Sequence, residues 1–332
     1  MAVRVALVST DGADRGFVRA DRLLLEHMGH EVALVPGRTV ADLLAIPRRL
    51  RDADAVAVWH LGEAAFDAVS FARMFRKRSL LILGGGHEYA RDRWRGYGIW
   101  LRRWDVRARA RYTVRAASEV WAVAPHIAPS MFRAGRVRPR SVRVVPTVFD
   151  PDRFHSRLDK DIDAAIVLCG PHYDRRGVDR WEIKGLETFL EAVRWLGVRA
   201  AVVGTSGTVS LHGGDTVQVT GYLEGDAYAD LLSRTQVIVN ASRYEGLSNA
   251  LCEGMLAGAV PVVSDILGNR YAVDGCPYAL TFRVGDVDGL AEAIKVALAF
   301  AWCAEAGERC RSHVRNRFPV EARREAFERW LT

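Results

Sequence analysis

The stretch that most constrains the fold of this chain runs from Val237 to Asp265, VIVNASRYEGLSNALCEGMLAGAVPVVSD. Val237, Ile238 and Val239 form an unbroken apolar run, the pattern of a strand buried on both faces as in a parallel sheet. Asn240 to Gly246 is then the loop leaving its carboxyl end. Ser248 supplies an oxygen that can cap a helix continuing through Leu256, and Gly258 stands just past the end of that helix, where the left-handed conformation is favoured. Val260 to Ser264 makes the next buried strand. The whole is one strand, loop, helix, strand unit of an α/β sheet.

Two carboxylates carry its chemistry, Glu245 in the loop and Glu253 in the second turn of the helix. Gly246 permits close backbone approach, and a helix amino end carries unpaired amide donors and a positive dipole. Two acceptors that flank an anion cradle suit a phosphate with sugars on either side. The bland alternative is a surface loop and a solvated helical glutamate, since charged side chains are mostly exposed. The order of elements around the pair favours the functional reading.

The segment Glu245 to Asp265, EGLSNALCEGMLAGAVPVVSD, resembles the Glu-x7-Glu motif of the retaining glycosyltransferases of family 4. That resemblance implies an α/β chain with the GT-B fold, two Rossmann-like, doubly wound parallel-sheet domains facing a cleft. It further implies that Glu245 contacts the donor sugar and that Glu253 holds the ribose hydroxyls of the nucleotide. The amides of Gly246 and Leu247, with the helix-opening residues Ser248 and Asn249, would meet sugar and phosphate.

At 332 residues the chain is long enough for two domains, and an apolar fraction of 49% with 26% charged residues is that of a globular protein. The cysteines at 169, 252, 276, 303 and 310 form no C-x-x-C pair and are odd in number, which indicates neither a disulfide framework nor a zinc site. A reducing cytoplasm fits that usage. The opening MAVRVALVST has the character of a first buried strand rather than a signal peptide. No run approaches the roughly 20 apolar residues of a membrane span. A net charge of +7 favours anionic partners, among which nucleotide sugars, anionic lipids and nucleic acid qualify.

In chain order, strand Val3 to Val8, a loop with Gly12 and Gly16, a helix from Phe17 to Met28 and strand Glu31 to Val35 make a doubly wound beginning. Ligands in such sheets sit beyond the carboxyl ends of strands. By resemblance, Gly12 belongs to a glycine loop near the donor phosphate; a plain tight turn is the other reading. Asp52 and Asp54 form a D-x-D triplet, but at the amino end of strand Ala55 to Trp59, so a helix-to-strand turn is expected there and not a metal site. His60 follows that strand, with a hydrogen-bonded strand-end histidine as its simpler reading. Gly84-Gly85-Gly86-His87-Glu88 follows strand Leu80 to Leu83, and His87 resembles the family histidine placed near the sugar and the acceptor.

Residues 91 to 115 carry nine arginines interleaved with Trp94, Tyr97, Trp100, Trp104 and Tyr112. Trp100, Trp104, Ala108 and Tyr112 recur every four residues, which predicts a helix with an aromatic stripe. One reading packs the stripe on the sheet and leaves the arginines solvated. The other makes Arg102, Arg103 and Arg107 a patch for a phosphorylated or lipid-linked acceptor or an anionic membrane surface. Arginines with aromatics also suit single-stranded nucleic acid, though the family resemblance implies no nucleic acid partner. Arg143 to Asp152 resembles the element that closes the first domain.

The resemblance places an amino-terminal acceptor domain over 1–155, a nucleotide-sugar domain over 156–315, and a last helix within 316–332 that returns to the first domain. Strand Ala164 to Cys169 opens the second domain, and Lys184-Gly185 matches the family lysine that binds the diphosphate. A lysine at a helix amino end is unfavourable by itself and becomes sensible when an anion is bound. The family arginine after the first strand is replaced by Pro171, with Arg175, Arg176 or Arg180 as candidates to substitute. Gly204 ends the next strand, and Gly221 and Tyr222 occupy the place where the family backbone meets the base.

The resulting expectation is a metal-independent retaining glycosyltransferase that moves a sugar from a nucleoside-diphosphate sugar to a hydroxyl acceptor, with no cofactor. Glu245, Lys184 and His87 form its catalytic group; Gly12, Arg180, Gly204, Gly221, Tyr222 and Gly246 to Asn249 join Glu253 around the donor. Its rivals are a nucleotide-sugar epimerase on the same fold and a non-catalytic protein that binds a nucleotide sugar or an anionic lipid.

Overall fold

A computed structural model describes residues 2–9, 16–37, 39–168, 180–204 and 216–332, with the side chain of Arg180 outside that description. The chain divides into two units, Met1–Val148 with Val320–Thr332, and Phe149–Pro319.

In the first unit, β1 (Arg4–Ser9), α1 (Gly16–His27), β2 (Glu31–Pro36), α2 (Val40–Leu50), β3 (Ala55–Trp59), α3 (Glu63–Met74) and β4 (Arg78–Leu83) alternate strand and helix. α4 (Trp104–Ala116), β5 (Glu119–Ala122), α5 (Ile127–Gly135) and β6 (Val142–Val144) follow. The strands form one parallel sheet in the order β2-β1-β3-β4-β5-β6. Val5 to Val8 and Leu80 to Leu83 are fully buried, as continuous apolar runs require when helices cover both faces. Asp54 sits at the amino end of β3, where its carboxylate accepts the Arg4 amide at 2.8 Å.

In the second unit, the elements are β7 (Ile162–Val167), α6 (Arg180–Lys184), α7 (Leu186–Leu196), β8 (Ala200–Val203), β9 (Val217–Val219), α8 (Gly225–Ser233) and β10 (Thr235–Asn240). α9 (Asn249–Leu256), β11 (Val260–Ser264), α10 (Leu267–Val273), β12 (Leu280–Phe282), α11 (Val287–Ala301) and α12 (Ala304–Arg317) complete it. Its sheet is also parallel, ordered β12-β11-β10-β7-β8-β9. Counted from the first strand of the unit, this is the dinucleotide-binding order 3-2-1-4-5-6 read from the far edge. Val237 and Val260 lie in one core with Phe189, Leu290 and Ile294, which packs α7 and α11 on the sheet.

The last helix, α13 (Val320–Leu331), belongs to the first unit. A buried fork holds it there. Arg323, 1% exposed, donates Nε and Nη2 to the two carboxylate oxygens of Asp21 at 2.5 and 2.7 Å. Its Nη1 donates to the carbonyls of Val145 and Pro146, and its guanidinium lies over the rings of Trp59, Trp121 and Phe327. Trp59 Nε1 completes the shell of Asp21 at 2.9 Å. Every charged atom of the pair is thus met by a partner, the condition under which a buried ion pair is tolerable.

The arginine-rich segment departs from the single helical stripe that its spacing predicts. Trp100 lies in a separate turn before α4; it is buried and donates its Nε1 to the Glu88 carbonyl at 2.6 Å. The face of α4 turned to the core is Ala110, Thr113 and Val114, while Trp104 is 72% exposed. Small residues let this helix approach α3 closely, so the aromatic stripe is not the packing face.

Candidate functional site

In a doubly wound sheet, ligands bind beyond the carboxyl ends of the two adjacent strands whose connections leave in opposite directions. In the second unit those strands are β7 and β10. Residues 169–179, which follow β7, lie outside the described residues, and with them Pro171, Arg175 and Arg176. The loop leaving β10 is Ala241 to Ser248, the stretch that carries Glu245.

This loop is fixed from two sides by backbone contact. Gly185, with φ +70°, lies so close to Ala241 that an added Cβ would stand 2.3 Å from its carbonyl oxygen. A Cβ on Gly268, at the start of α10, would meet the Glu245 carbonyl at 2.3 Å. Only glycine allows either approach. Between them the Arg243 amide donates to the Ile183 carbonyl at 2.8 Å. The consequence is that Lys184 and Glu245, 61 residues apart in sequence, meet: Lys184 Nζ donates to Glu245 Oε1 at 2.5 Å. Ser242 Oγ donates to the same oxygen at 2.8 Å. Both members are largely buried, so their attraction is screened less than that of a surface pair.

Beneath the loop lies a buried polar network that the sequence reading missed. Asn269 Nδ2 reaches Ser264 Oγ at 3.0 Å and the Asn240 side chain at 3.3 Å. Asn240 Nδ2 donates to Ser248 Oγ, which in turn accepts the Leu251 amide and caps α9. Gly258, at φ +79°, follows the helix end as its position predicts. Asn269 stands in the first turn of α10, at the same sheet edge as the β10 loop, and its partner Asn240 comes from a segment distant in the chain. Gly246, Leu247 and Ser248 are buried, and Asn249 is half-buried in the first turn of α9.

Glu253 projects from α9 towards α8, where its Oε2 accepts the Tyr228 hydroxyl at 2.8 Å. Burial pushes its carboxyl pKa up, against the opposing pull of the Tyr228 hydroxyl and the Arg153 charge. Tyr228 was not singled out in the sequence because its spacing to Leu231 and Leu232 is that of an ordinary core face. Gly204 ends β8 at φ +90°, and its amide donates to the Gly221 carbonyl at 3.1 Å, while Tyr222 is exposed. Arg180 opens α6. Gly12 lies outside the described residues.

In the first sheet, the corresponding adjacent strands are β1 and β3. β3 ends at Trp59, and His60 follows at φ +68°, an uncommon conformation for a side-chain-bearing residue. Its Nδ1 lies 2.7 Å from Oε1 of Glu88, which is fully buried and also accepts the Gly85 amide at 2.5 Å. Burial raises the Glu88 pKa, but the charge and hydrogen bond of His60, the His87 charge and the Gly85 amide outweigh it, and the carboxyl lies below its ordinary value. His87 sits beside Glu88 in the same short turn, half-buried. Glu88 is therefore a member of this constellation that the sequence reading did not select.

A carboxyl with a depressed folded-state pKa contributes stability above its unfolded value, about 4.3 for Glu, and loses it as pH falls through the folded value. Glu88→Gln is accordingly expected to destabilise the first unit at pH 7 and to lose that deficit below about pH 4. Melting curves of both proteins from pH 7 to 3 decide this. A constant gap between them would contradict the assigned charge state.

Arg102, Arg103 and Arg107 do not form one displayed cluster: Arg103 pairs with Asp105 at 3.2 Å, and Arg102 and Arg107 are half-buried. The most exposed aromatics of this segment are Trp94 and Trp104, 96% and 72% accessible, with Tyr112 also exposed. Among the described residues no group of His, Cys, Asp and Glu is arranged to hold a metal ion, and no helix is long and apolar enough to cross a membrane.

Residues 176–299 match the family model described as glycosyl transferases group 1. No curated protein sequence matches the chain. Among solved structures it is similar to sucrose-phosphate synthase from Thermosynechococcus elongatus, at 15% identity and a TM-score of 0.80 over 99% of this chain and 98% of that one. It is also similar to Anabaena HepE in complex with UDP-glucose, at 14% identity and a TM-score of 0.75 over 99% of each. The two parallel six-stranded sheets and these neighbours establish the GT-B fold.

Proposed function

We propose that the chain is a glycosyltransferase that binds a nucleoside-diphosphate sugar at the carboxyl end of β7 and β10 and passes the sugar, with retained stereochemistry, to a hydroxyl acceptor. The observation that carries this reading is the Lys184–Glu245 ion pair beside the Ser248-capped amino end of α9. The family match over this segment and the UDP-glucose bound to a structural neighbour support the choice of donor.

Lys184 and the α9 amides face the diphosphate and stabilise the charge that it gains on leaving, a preorganised electrostatic role. Glu245, oriented by Lys184 and Ser242, accepts from hydroxyls of the sugar. Glu253, held by Tyr228, accepts from the ribose. The departing phosphate takes the proton of the acceptor hydroxyl on the same face of the sugar, so the chain needs to orient and stabilise, and no side chain attacks. His87 lies with the acceptor. In this scheme the protein's own cation serves the diphosphate and no metal is needed. The arginine segment with Trp94 and Trp104 is the surface for an anionic acceptor or membrane.

Thermal shifts against UDP, GDP, ADP and TDP sugars test donor binding, since a ligand that binds the native state raises its melting temperature. A shift with one nucleotide family and transfer of its sugar are expected; no shift with any would refute the reading. Binding without transfer would favour a nucleotide-sugar binding protein. Glu253→Gln separates stability from function. It retains the Tyr228 contact and removes a desolvated carboxylate whose raised pKa marks a cost above the ordinary Glu value. The variant is expected to melt at an equal or higher temperature at pH 7, yet bind the nucleotide about tenfold more weakly, as for loss of one charged hydrogen bond. Unchanged affinity would remove Glu253 from the ribose.

A further inference from the structure

The second unit has a cavity of about 290 Å³ at the edge of the sheet opposite to Lys184 and Glu245. Lys160, just before β7, Gln236, the second residue of β10, and Gly258 just before β11 line it at the amino ends of these strands. Cys303 and Ala304, at the amino end of α12, and Trp302 complete the part that bears on binding.

Three features of this lining ask for a ligand. Gln236 is 3% exposed, and its Nε2 donates to Asp163 Oδ1 at 2.9 Å, which fixes the orientation of the amide because a carboxylate can only accept. Its Oε1 is then a buried acceptor with no partner among the described residues, a costly arrangement that a donor would relieve. Lys160 donates to the Gly258 carbonyl at 2.6 Å and pairs with no carboxylate among the described residues. Its burial lowers the amine pKa to about 8, as expected for a cation that lacks a counter-charge. α12 runs for 14 residues, and its N-cap residue Cys303 makes no side-chain cap bond among the described residues, at an end where the dipole favours an anion. Arg157 and Glu308 also line the cavity, but each is already paired, Arg157 with Asp159 and Asp230, Glu308 with Arg311.

We propose that this cavity is a second small-molecule site, for a compact anion that also carries a hydroxyl. The acid group bonds Lys160 and the first amides of α12, and the hydroxyl donates to Gln236 Oε1. Trp302, largely exposed on the rim, offers a flat apolar face to the carbon skeleton. The volume is at the small end of ligand pockets, which suits a few-carbon compound and not a nucleotide. β10 begins at this site with Gln236 and ends at the donor loop with Asn240, about 13 Å away at about 3.3 Å per residue. The site is distinct from that of the donor and does not depend on the activity proposed above.

Cys303 provides the readout, since it is exposed and lines the cavity. The full-length protein is treated with iodoacetamide, and alkylation of the Cys303 peptide is followed by mass spectrometry with glycerol 3-phosphate, glycerate or glycerol present. With an anionic probe at about ten times its Kd, labelling is expected to slow about tenfold, in proportion to the unoccupied fraction. Protection by one of the two anions only identifies the acid as phosphate or carboxylate. Protection should persist in Glu253→Gln, which separates this site from the donor site, and vanish in Lys160→Met. The wild-type measurement decides even where that variant folds poorly. An unchanged rate with both anions up to about 10 mM, weaker than any millimolar site, would overturn the proposal, as would equal protection by glycerol.

Discussion

Arg323→Ala is expected to lower the unfolding free energy of the first unit by about 3–5 kcal/mol, the cost of leaving one member of a buried ion pair alone. The substitution strips Asp21 of two hydrogen bonds at once, and among the described residues leaves only Trp59 Nε1 to meet a carboxylate that is 1% exposed. It also removes the guanidinium from three aromatic rings and frees the carbonyls of Val145 and Pro146. Arg323 ties α13 to the body of its unit together with the buried Phe327 and Trp330 and the bonds of Arg78 to the Trp330 and Thr332 carbonyls, so the loss measured is that of the fork alone. Denaturant unfolding followed by tryptophan fluorescence measures the loss, because Trp59 and Trp121 lie against Arg323. The control is the double change Asp21→Leu with Arg323→Met, which removes both charges and should recover most of the deficit. A loss below about 1 kcal/mol for Arg323→Ala would mean that water satisfies Asp21 and that the fork is not a tie.

Lys184→Ala is expected to reduce the turnover of sugar transfer by about 10²–10³, the size of effect seen when one preorganised charge stabiliser is removed from a developing anion. Nucleotide affinity should fall less, because Glu253 and the α9 amides remain. A secondary cost follows from the same geometry: Glu245 keeps the Ser242 hydroxyl but loses its cation, which should destabilise the second unit by about 1–3 kcal/mol. Separate measurement of kcat and KM distinguishes the two effects, since a purely structural role would lower the active fraction and leave KM unchanged. Turnover within a few-fold of wild type would remove Lys184 from the chemistry.

The strand, loop, helix, strand unit around Glu245 was legible because each of its signals is local. The apolar run of β10, the Ser248 cap and the left-handed Gly258 are decided within a few residues of themselves. Lys184 was legible as a misplaced cation, though its meeting with Glu245 depends on Gly185 against Ala241 and Gly268 against Glu245, contacts between segments far apart in the chain. What the sequence could not yield is of that long-range kind. Asn269, Tyr228 and Glu88 each look like ordinary members of a helix or turn, and acquire roles only when the sheet order brings their elements together. The stripe from Trp100 to Tyr112 misled for the opposite reason: its period is helical, but α4 begins at Trp104 and turns its small residues inward. Arg323 and Asp21, 302 residues apart, left no local trace at all.

The most direct test is a crystal structure with the nucleoside diphosphate that gives the largest thermal shift. Its diphosphate is expected within hydrogen-bond distance of Lys184 Nζ and the first amides of α9, with the ribose hydroxyls on Glu253. A diphosphate bound elsewhere, with Lys184 still turned to Glu245 and Glu253 still closed on Tyr228 alone, would contradict the proposed site.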